Sequence, residues 1–121
     1  MTRQETLPYL KLVLSRDLND NLTAMGLRTV LSVVIKDINN IDIQPNEEAF
    51  LLKRRLAVTT LQGILSREAS NAVHSERASK SKKDQTKIYT ARSDYQKAVA
   101  AIEEAIRDFV QAMEQAEGAE K

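Results

Sequence analysis

Apolar residues in the last third of the chain recur every seven positions, and this repeat is the strongest pattern in the sequence. The first series is Ile88, Tyr95, Ile102 and Phe109, and an alanine follows each of these residues three positions later. Four positions after Tyr95, Ile102 and Phe109 lie Val99, Ile106 and Met113. A strict seven-residue repeat indicates a helix, here about 86–115, with one apolar seam for a partner helix. The alanines would let that partner approach closely. The seam comprises Ile88, Ala91, Tyr95, Ala98, Val99, Ile102, Ala105, Ile106, Phe109, Ala112 and Met113.

Two shorter helices are predicted upstream from apolar residues at three- and four-residue spacing. The first would begin near Thr6, which can cap it, with Pro8 in its first turn; the turn-forming run 19–21 would end or bend it. The second would be capped by Asn21 or Thr23 and would end in the segment 39–45. The predicted apolar stripes are Leu7, Leu10, Leu14 and Leu18 in the first helix, and Leu27, Val30, Leu31, Val34 and Ile38 in the second.

A third, long helix is predicted from Asn46, a suitable cap, to about Ser75 or Ala78. Gly63 in its middle is expected to mark a close contact with a neighbouring helix. The polar, basic segment 77–87 has no apolar stripe, and we interpret it as a basic loop, either a linker or a frayed helix end. The apolar stripe of this helix comprises Phe50, Leu51, Ala57, Val58, Leu61, Ile64, Leu65, Ala72 and Val73.

These elements predict an all-α fold, a bundle of about four helices in a single domain spanning residues 1–121. The long helices, about 47–76 and 86–115, would form an antiparallel C-terminal hairpin, and the two shorter helices would cover one side of it. We expect the ends 1–5 and 115–121 to fray.

The composition argues against an enzyme. The chain has no cysteine and one histidine, His74, which leaves no thiolate or histidine-based metal site. Adjacent carboxylates such as Glu47 and Glu48 point in different directions on a helix, and Glu103 and Glu104 are better explained as a solvated face paired with Arg107. The three glycines form no phosphate-binding loop. We therefore expect no catalytic, cofactor-binding or metal site and no small-molecule substrate.

The longest apolar stretches are too short to cross a bilayer, and the first residues do not resemble a secretory signal. We therefore expect a cytoplasmic protein without a membrane partner.

Charge is spread unevenly along the chain. Residues 53–92 hold ten basic and three acidic side chains, a net charge of +7, whereas the whole chain carries +1. Such a zone can contact phosphates along a nucleic acid, although no aromatic residue lies among the candidate lysines to stack on bases. A solvated basic surface is the competing interpretation. The candidate nucleic-acid residues are Lys53, Arg54, Arg55, Lys80, Lys82, Lys83 and Lys87.

Part of the chain, roughly residues 22–110, resembles the helical domain of the YqeY family, which is related to the tail of the GatB subunit of the tRNA-dependent amidotransferase. The residues that carry the resemblance are Leu27–Ser32, Ile35-Lys36, Ile41-Asp42, Asn46–Glu48 and Ala91–Tyr95. The chain departs from the family in lacking the glycine before Arg92 and a second helical domain after the last helix. The resemblance implies a non-catalytic protein with an accessory role at tRNA.

Three hypotheses follow. The first is a non-enzymatic helical interaction module that binds another protein, or a second copy of itself, through its long helices. The second is an accessory protein that contacts RNA through the basic zone 53–92. The third is a small viral or mobile-element protein that inhibits a host factor.

Overall fold

The computed structural model describes residues 2–15, 23–82 and 85–119, with side chains left undescribed at 15, 80–82, 85–87 and 116–119. The described segments are almost entirely helical, which confirms the all-α prediction. The helices are α1 (Arg3–Ser15), α2 (Ala24–Asn39), α3 (Glu48–Ile64), α4 (Ser70–Lys82) and α5 (Gln85–Ala119), and a π-helical turn, Leu65–Ala69, joins α3 to α4.

Helix α1 begins at Arg3, so the prediction that Thr6 caps it is wrong. Thr2 and Glu5 form a capping box instead: the backbone N–H of Glu5 donates to Thr2 Oγ1 at 3.2 Å, and that of Thr2 donates to Glu5 Oε2 at 3.3 Å. Thr6 is buried, and its hydroxyl donates to the Thr2 carbonyl at 2.8 Å. Pro8 consequently lies inside the helix, beyond its first turn. Leu18 and the run 19–21 lie outside the described residues.

Helix α2 begins at the predicted cap, because Thr23 Oγ1 accepts the N–H of Gly26 at 3.0 Å. A second oxygen reaches the same helix end from α4, where Glu76 Oε2 accepts the N–H of Ala24 at 2.7 Å. The backbone N–H groups of the first helical turn have no acceptor within the helix. Two of them are thereby hydrogen-bonded, one to the adjacent Thr23 and one to Glu76, 52 positions from Ala24. Helix α2 is thus tied to α4 at its first residue.

Helix α3 begins at Glu48 and follows Glu47, so Asn46 is not the cap. The side chain of Glu47 instead accepts the backbone N–H of Gln44 at 3.0 Å and pairs with Arg3 of α1. The Arg3 guanidinium also lies 4.5 Å from the ring centroid of Phe50, in cation–π geometry. These contacts hold the start of α1 against the start of α3.

The long third helix is interrupted by the π-helical turn, which the sequence analysis did not predict. A regular α-helix would place Glu68 on the stripe four residues after Ile64, whereas the wider turn places Ala69 there, and Ala69 is completely buried. Ser70 Oγ donates to the Leu65 carbonyl at 3.1 Å, five residues back, as this register requires. The turn therefore keeps a carboxylate out of the core.

Helix α4 runs to Lys82 and α5 begins at Gln85, so the prediction of a loop over 77–87 is wrong for its described part. Lysine, arginine and alanine are good helix formers, and they continue the helix without an apolar stripe of their own. Residues 83 and 84 lie outside the described part. The α3–α4 rod, Glu48–Lys82, is therefore longer than predicted.

The α3–α4 rod and α5 pack antiparallel, as predicted. The ring of Phe50, early in the rod, stacks on that of Phe109, late in α5, with centroids 5.8 Å apart and an interplanar angle of 23°. Toward the other end, Ser75 Oγ donates to Asp94 Oδ2 at 2.6 Å. On another side of α5, Lys11 of α1 pairs with Glu114 at 2.7 Å. The long helix thus contacts both α1 and the rod.

The core contains most of the predicted apolar stripes. Leu10, Leu27, Leu31, Ile38 and Leu61 are among its completely or almost completely buried side chains. The prediction differs from the structure at several positions, among them the following two. Val13 is buried although it was absent from the predicted stripe of α1. Gly63 is exposed, and a Cβ built on it would meet nothing within 4 Å, so it marks no close contact.

Changing Gly63 to alanine should stabilise the protein. The new methyl group has room, and alanine loses less backbone entropy than glycine in a helix, so the free energy of unfolding should rise by about 0.4–1 kcal/mol. Urea denaturation followed by circular dichroism measures this. Gln62→Ala, at the exposed neighbouring position, is the control and should change stability by no more than a few tenths of a kcal/mol. A destabilised Gly63→Ala variant would contradict the open environment described here.

Changing Ala98 to leucine should destabilise the protein. Ala98 is completely buried in the main core cluster, so three additional carbon atoms should cost about 1–3 kcal/mol of unfolding free energy. Ala100→Leu makes the same change at an exposed position of α5 and should have little effect. Equal stability of the two variants in urea would show that the alanine face is not packed as described.

Candidate interaction surface

The predicted seam of α5 is filled largely by this chain's own helices. Its central and C-terminal members are buried, and Phe109 contacts Phe50 of the same chain. At the N-terminal end the seam prediction fails, because Ile88 is 43% exposed. Ala91, Tyr95 and Ala112 are half-buried. Val110 is buried although it was not among the predicted seam residues. The buried part of the seam is therefore core and does not present a free surface.

Exposed apolar side chains lie instead on the outer side of α3. Leu52 and Leu56 are each 61% exposed and stand one helical turn apart, so they share a face. The sequence analysis missed them because neither belongs to the apolar stripe of the helix. Their position outside the apolar stripe could have indicated an exposed apolar surface, because residues at such positions are usually polar in a soluble helix bundle.

Leu56 borders a groove between α3 and α5 with a volume of about 340 Å³. The alanine column of the seam contributes to it, because Ala105 and Ala112 are too small to fill the space between the helices. The walls also carry one basic and one acidic side chain, Lys53 and Asp108. The complete lining is Lys53, Leu56, Ala57, Thr60, Ala105, Asp108, Phe109, Gln111, Ala112 and Gln115.

The first basic cluster is divided by this arrangement. Lys53 lines the groove, Arg55 is exposed, and Arg54 is half-buried with Nη1 donating to the Ile41 carbonyl at 2.7 Å. That hydrogen bond connects α3 to the segment after α2, which gives Arg54 a structural role. The three residues therefore do not form one basic patch.

The second basic cluster lies at the opposite end of the rod. Lys83 is outside the described residues, and the side chains of Lys80, Lys82 and Lys87 are not described. Lys53 and Lys80 are separated by about 40 Å along a helix axis, at 1.5 Å per residue. The structure therefore keeps the two clusters apart.

An exposed aromatic side chain lies next to the second cluster. Tyr89 is 67% exposed, and Arg92 and Lys97 on the same helix are exposed as well. Tyr89 also lines a shallow, open depression with Thr90, Ser93, Asp94 and Lys97. The sequence analysis missed this residue, although its position between seam residues Ile88 and Ala91 indicated a side chain pointing away from the core.

The residues considered as catalytic candidates lie in different helices or loops of the described part of the chain. His74 is exposed on α4, while the neighbouring Ser75 hydroxyl is bound to Asp94. Glu47 pairs with Arg3, and Glu48 and Glu104 are exposed. Within residues 2–15, 23–82 and 85–119, histidine and carboxylate side chains form no group of three that would hold a metal ion. The helices in the same ranges include none that is both long and apolar enough to span a bilayer.

Two candidate surfaces therefore stand out in the described part of the chain: the groove between α3 and α5 with Leu52 and Leu56, and the region around Tyr89. Comparison with protein-family models, with curated proteins and with solved structures gave no match to this chain.

Proposed function

We propose that this chain is a non-enzymatic helical interaction module that binds a protein partner on its α3–α5 face, meaning Leu52, Leu56 and the groove beside them. The observation that carries the proposal is the pairing of two highly exposed leucines with an adjacent groove of small residues. Most of the seam is buried, whereas Leu52 and Leu56 remain open to solvent on this face.

The exposed leucines supply the energy of such an interaction. Full burial of a leucine side chain contributes about 1.5–3 kcal/mol, and more than half of each side chain here is still exposed. Burial of both would therefore contribute on the order of 2 kcal/mol. Two anchors one turn apart match the spacing by which helices recognise helices.

The groove supplies the shape. Ala57, Ala105 and Ala112 leave space between α3 and α5 for a side chain of a docked helix, and Phe109 provides an apolar surface at the lining. Lys53 and Asp108 add charges of opposite sign that can orient a partner. This combination favours short-range binding of a helical protein segment.

Replacing both leucines should abolish binding to protein partners. The double variant Leu52→Glu/Leu56→Glu places two carboxylates on the proposed contact, where their desolvation is unfavourable. Quantitative affinity capture from nuclease-treated lysate compares it with the wild-type chain. We expect the partners bound by the wild-type chain to be lost.

The matched control is Val33→Glu, which changes an exposed apolar residue on α2 that does not line the groove. This variant should retain the wild-type partners. If the captured proteins and the self-association of the chain are the same for all three proteins, the α3–α5 face is not an interaction site.

A second candidate function, contact with RNA, is supported by Tyr89. Residues 77–92 carry six basic and one acidic side chains, and an aromatic ring exposed beside them can stack on a base. The proposed similarity to the YqeY family would agree with this function. Because α4 and α5 are antiparallel, the end of α4 and the start of α5 bring these charges to the same end of the hairpin.

RNA binding through this end should weaken steeply with salt and with charge reversal. The variant Lys80→Glu/Lys82→Glu/Lys83→Glu should lower the slope of log affinity against log salt by about 2, since each lost phosphate contact removes roughly 0.7–0.9. Tyr89→Ala should weaken binding with the slope unchanged, by about 1–3 kcal/mol if the ring stacks on a base. Fluorescence anisotropy with labelled tRNA measures both.

Lys36→Glu, at an exposed position on α2, is the charge-matched control for a single reversal and should have a much smaller effect than any one of the three lysine changes. Equal affinity of the wild-type and triple-variant chains at low salt would exclude this surface as an RNA site.

A further inference from the structure

We propose that the occupant of the α3–α5 face is a second copy of this chain, related to the first by a two-fold axis. This inference rests on the proposed function and names the partner of the same surface. A two-fold interface uses one patch on both copies, so the patch must be complementary to itself.

The shape of the face meets this requirement. Leu52 and Leu56 protrude from α3, and the groove beside them is floored by alanines of both helices. A protrusion and a depression on one surface allow each copy to insert its Leu56 into the groove of the other.

The charges of the face meet the requirement as well. Lys53 and Asp108 both line the groove, and neither belongs to an ion pair formed within the described part of the chain. A two-fold axis through the groove would bring Lys53 of each copy toward Asp108 of the other, which gives two equivalent contacts. A partner of one strong charge would instead meet a repulsive group at one of these positions.

The face is small for a specific interface, which favours a weak and reversible association. Helix α3 has 17 residues, which corresponds to a length of about 25 Å, and two adjacent helices are about 20 Å wide. The face then measures about 500 Å² per copy, or about 1,000 Å² in a dimer, which is near the lower limit for a specific interface. We therefore expect a reversible dimer with a dissociation constant in the micromolar range.

Sedimentation equilibrium of the full chain tests the proposal at about 1–500 µM, a range that spans micromolar dissociation constants. The wild-type chain should pass from monomer to dimer across this range. Leu56→Glu should raise the dissociation constant at least about tenfold, because each dimer would bury two carboxylates. Leu56→Ala is the milder variant, and circular dichroism establishes that both remain folded. Val33→Glu should dimerise like the wild-type chain.

Mixing two charge variants tests the two-fold arrangement directly. Lys53→Glu and Asp108→Lys should each weaken their own dimer by about tenfold, because both contacts become repulsive. In an equimolar mixture, each contact between unlike copies joins opposite charges again: the two substituted side chains face each other, and so do the two unchanged ones. Association should therefore return to the wild-type level. If each substitution instead weakened the dimer by removing a contact within its own chain, mixing the two variants would not restore association.

A wild-type chain that remains monomeric to the highest concentration would overturn the second-copy proposal. The proposed function would then still stand if affinity capture of another protein depends on Leu52 and Leu56, and would fall if it does not. A dimer that survives Leu56→Glu and both charge reversals would use a different surface, and this would also overturn the proposal.

Discussion

The apolar stripe of α5 is the constraint on which the remaining structure depends. Helix α3 contacts this stripe at Phe109, while α1 and α4 contact polar positions of α5, at Glu114 and Asp94. Ile102, Ile106 and Met113 lie almost completely buried in the main core cluster, to which α1, α2 and α3 also contribute. Most helical stability in proteins comes from packing of an apolar face and not from intrinsic propensity. The neighbouring helices therefore depend on α5 for the surface that they bury, and α5 depends on them to cover its stripe.

The π-helical turn follows from the same constraint. A straight α-helix drifts by roughly 20° per heptad from a seven-residue repeat. Helix α5 has a seven-residue repeat, whereas the α3–α4 rod does not. In a regular α-helix, the apolar positions of the rod would therefore turn away from α5 along the length of the rod. The extra residue at Leu65–Ala69 resets the rod, so that Ala69, Ala72 and Val73 continue the buried face begun by Leu61 and Ile64. The five-residue spacing between Ile64 and Ala69 is present in the sequence. It indicates a π-helical turn only when the position of α5 is known.

The sequence predicted the features that depend on local pattern. The seven-residue repeat identified most of the buried positions of α5, and Thr23 was recognised as a cap because its hydroxyl acts within one turn. Features that depend on distant residues were missed. Glu76 completes the start of α2 from another helix, and Arg54 binds the Ile41 carbonyl although its charge suggested a phosphate contact. The basic segment was interpreted as a loop because it lacks an apolar stripe, yet its residues favour a helix and continue α4.

The candidate interaction surface also depends on residues that are distant in the sequence. The alanine column correctly indicated small residues on a helix face, but its role divides along α5. Ala98 is completely buried in the core, Ala105 is buried but also lines the groove, and Ala112 is half-buried at the groove. This difference arises from which neighbours surround each residue, and no one-dimensional repeat contains that information. Leu52 and Leu56 are likewise ordinary helix residues in the sequence, and they become a candidate site because the groove opens beside them.

The two candidate surfaces operate over different distances, and this separates their roles. The α3–α5 face combines leucines with one charge of each sign, so its attraction is confined to direct contact. The sequence of the basic end, residues 77–92, has a net positive charge, whose attraction for a polyanion extends over about one Debye length, roughly 8–10 Å at physiological salt. The surfaces lie about 40 Å apart along the rod, at 1.5 Å per residue, which is several such lengths. The charge at one end therefore has little influence on binding at the other. If both surfaces bind as proposed, salt would weaken binding at the basic end more than at the leucines, and occupation of one surface would leave the other accessible.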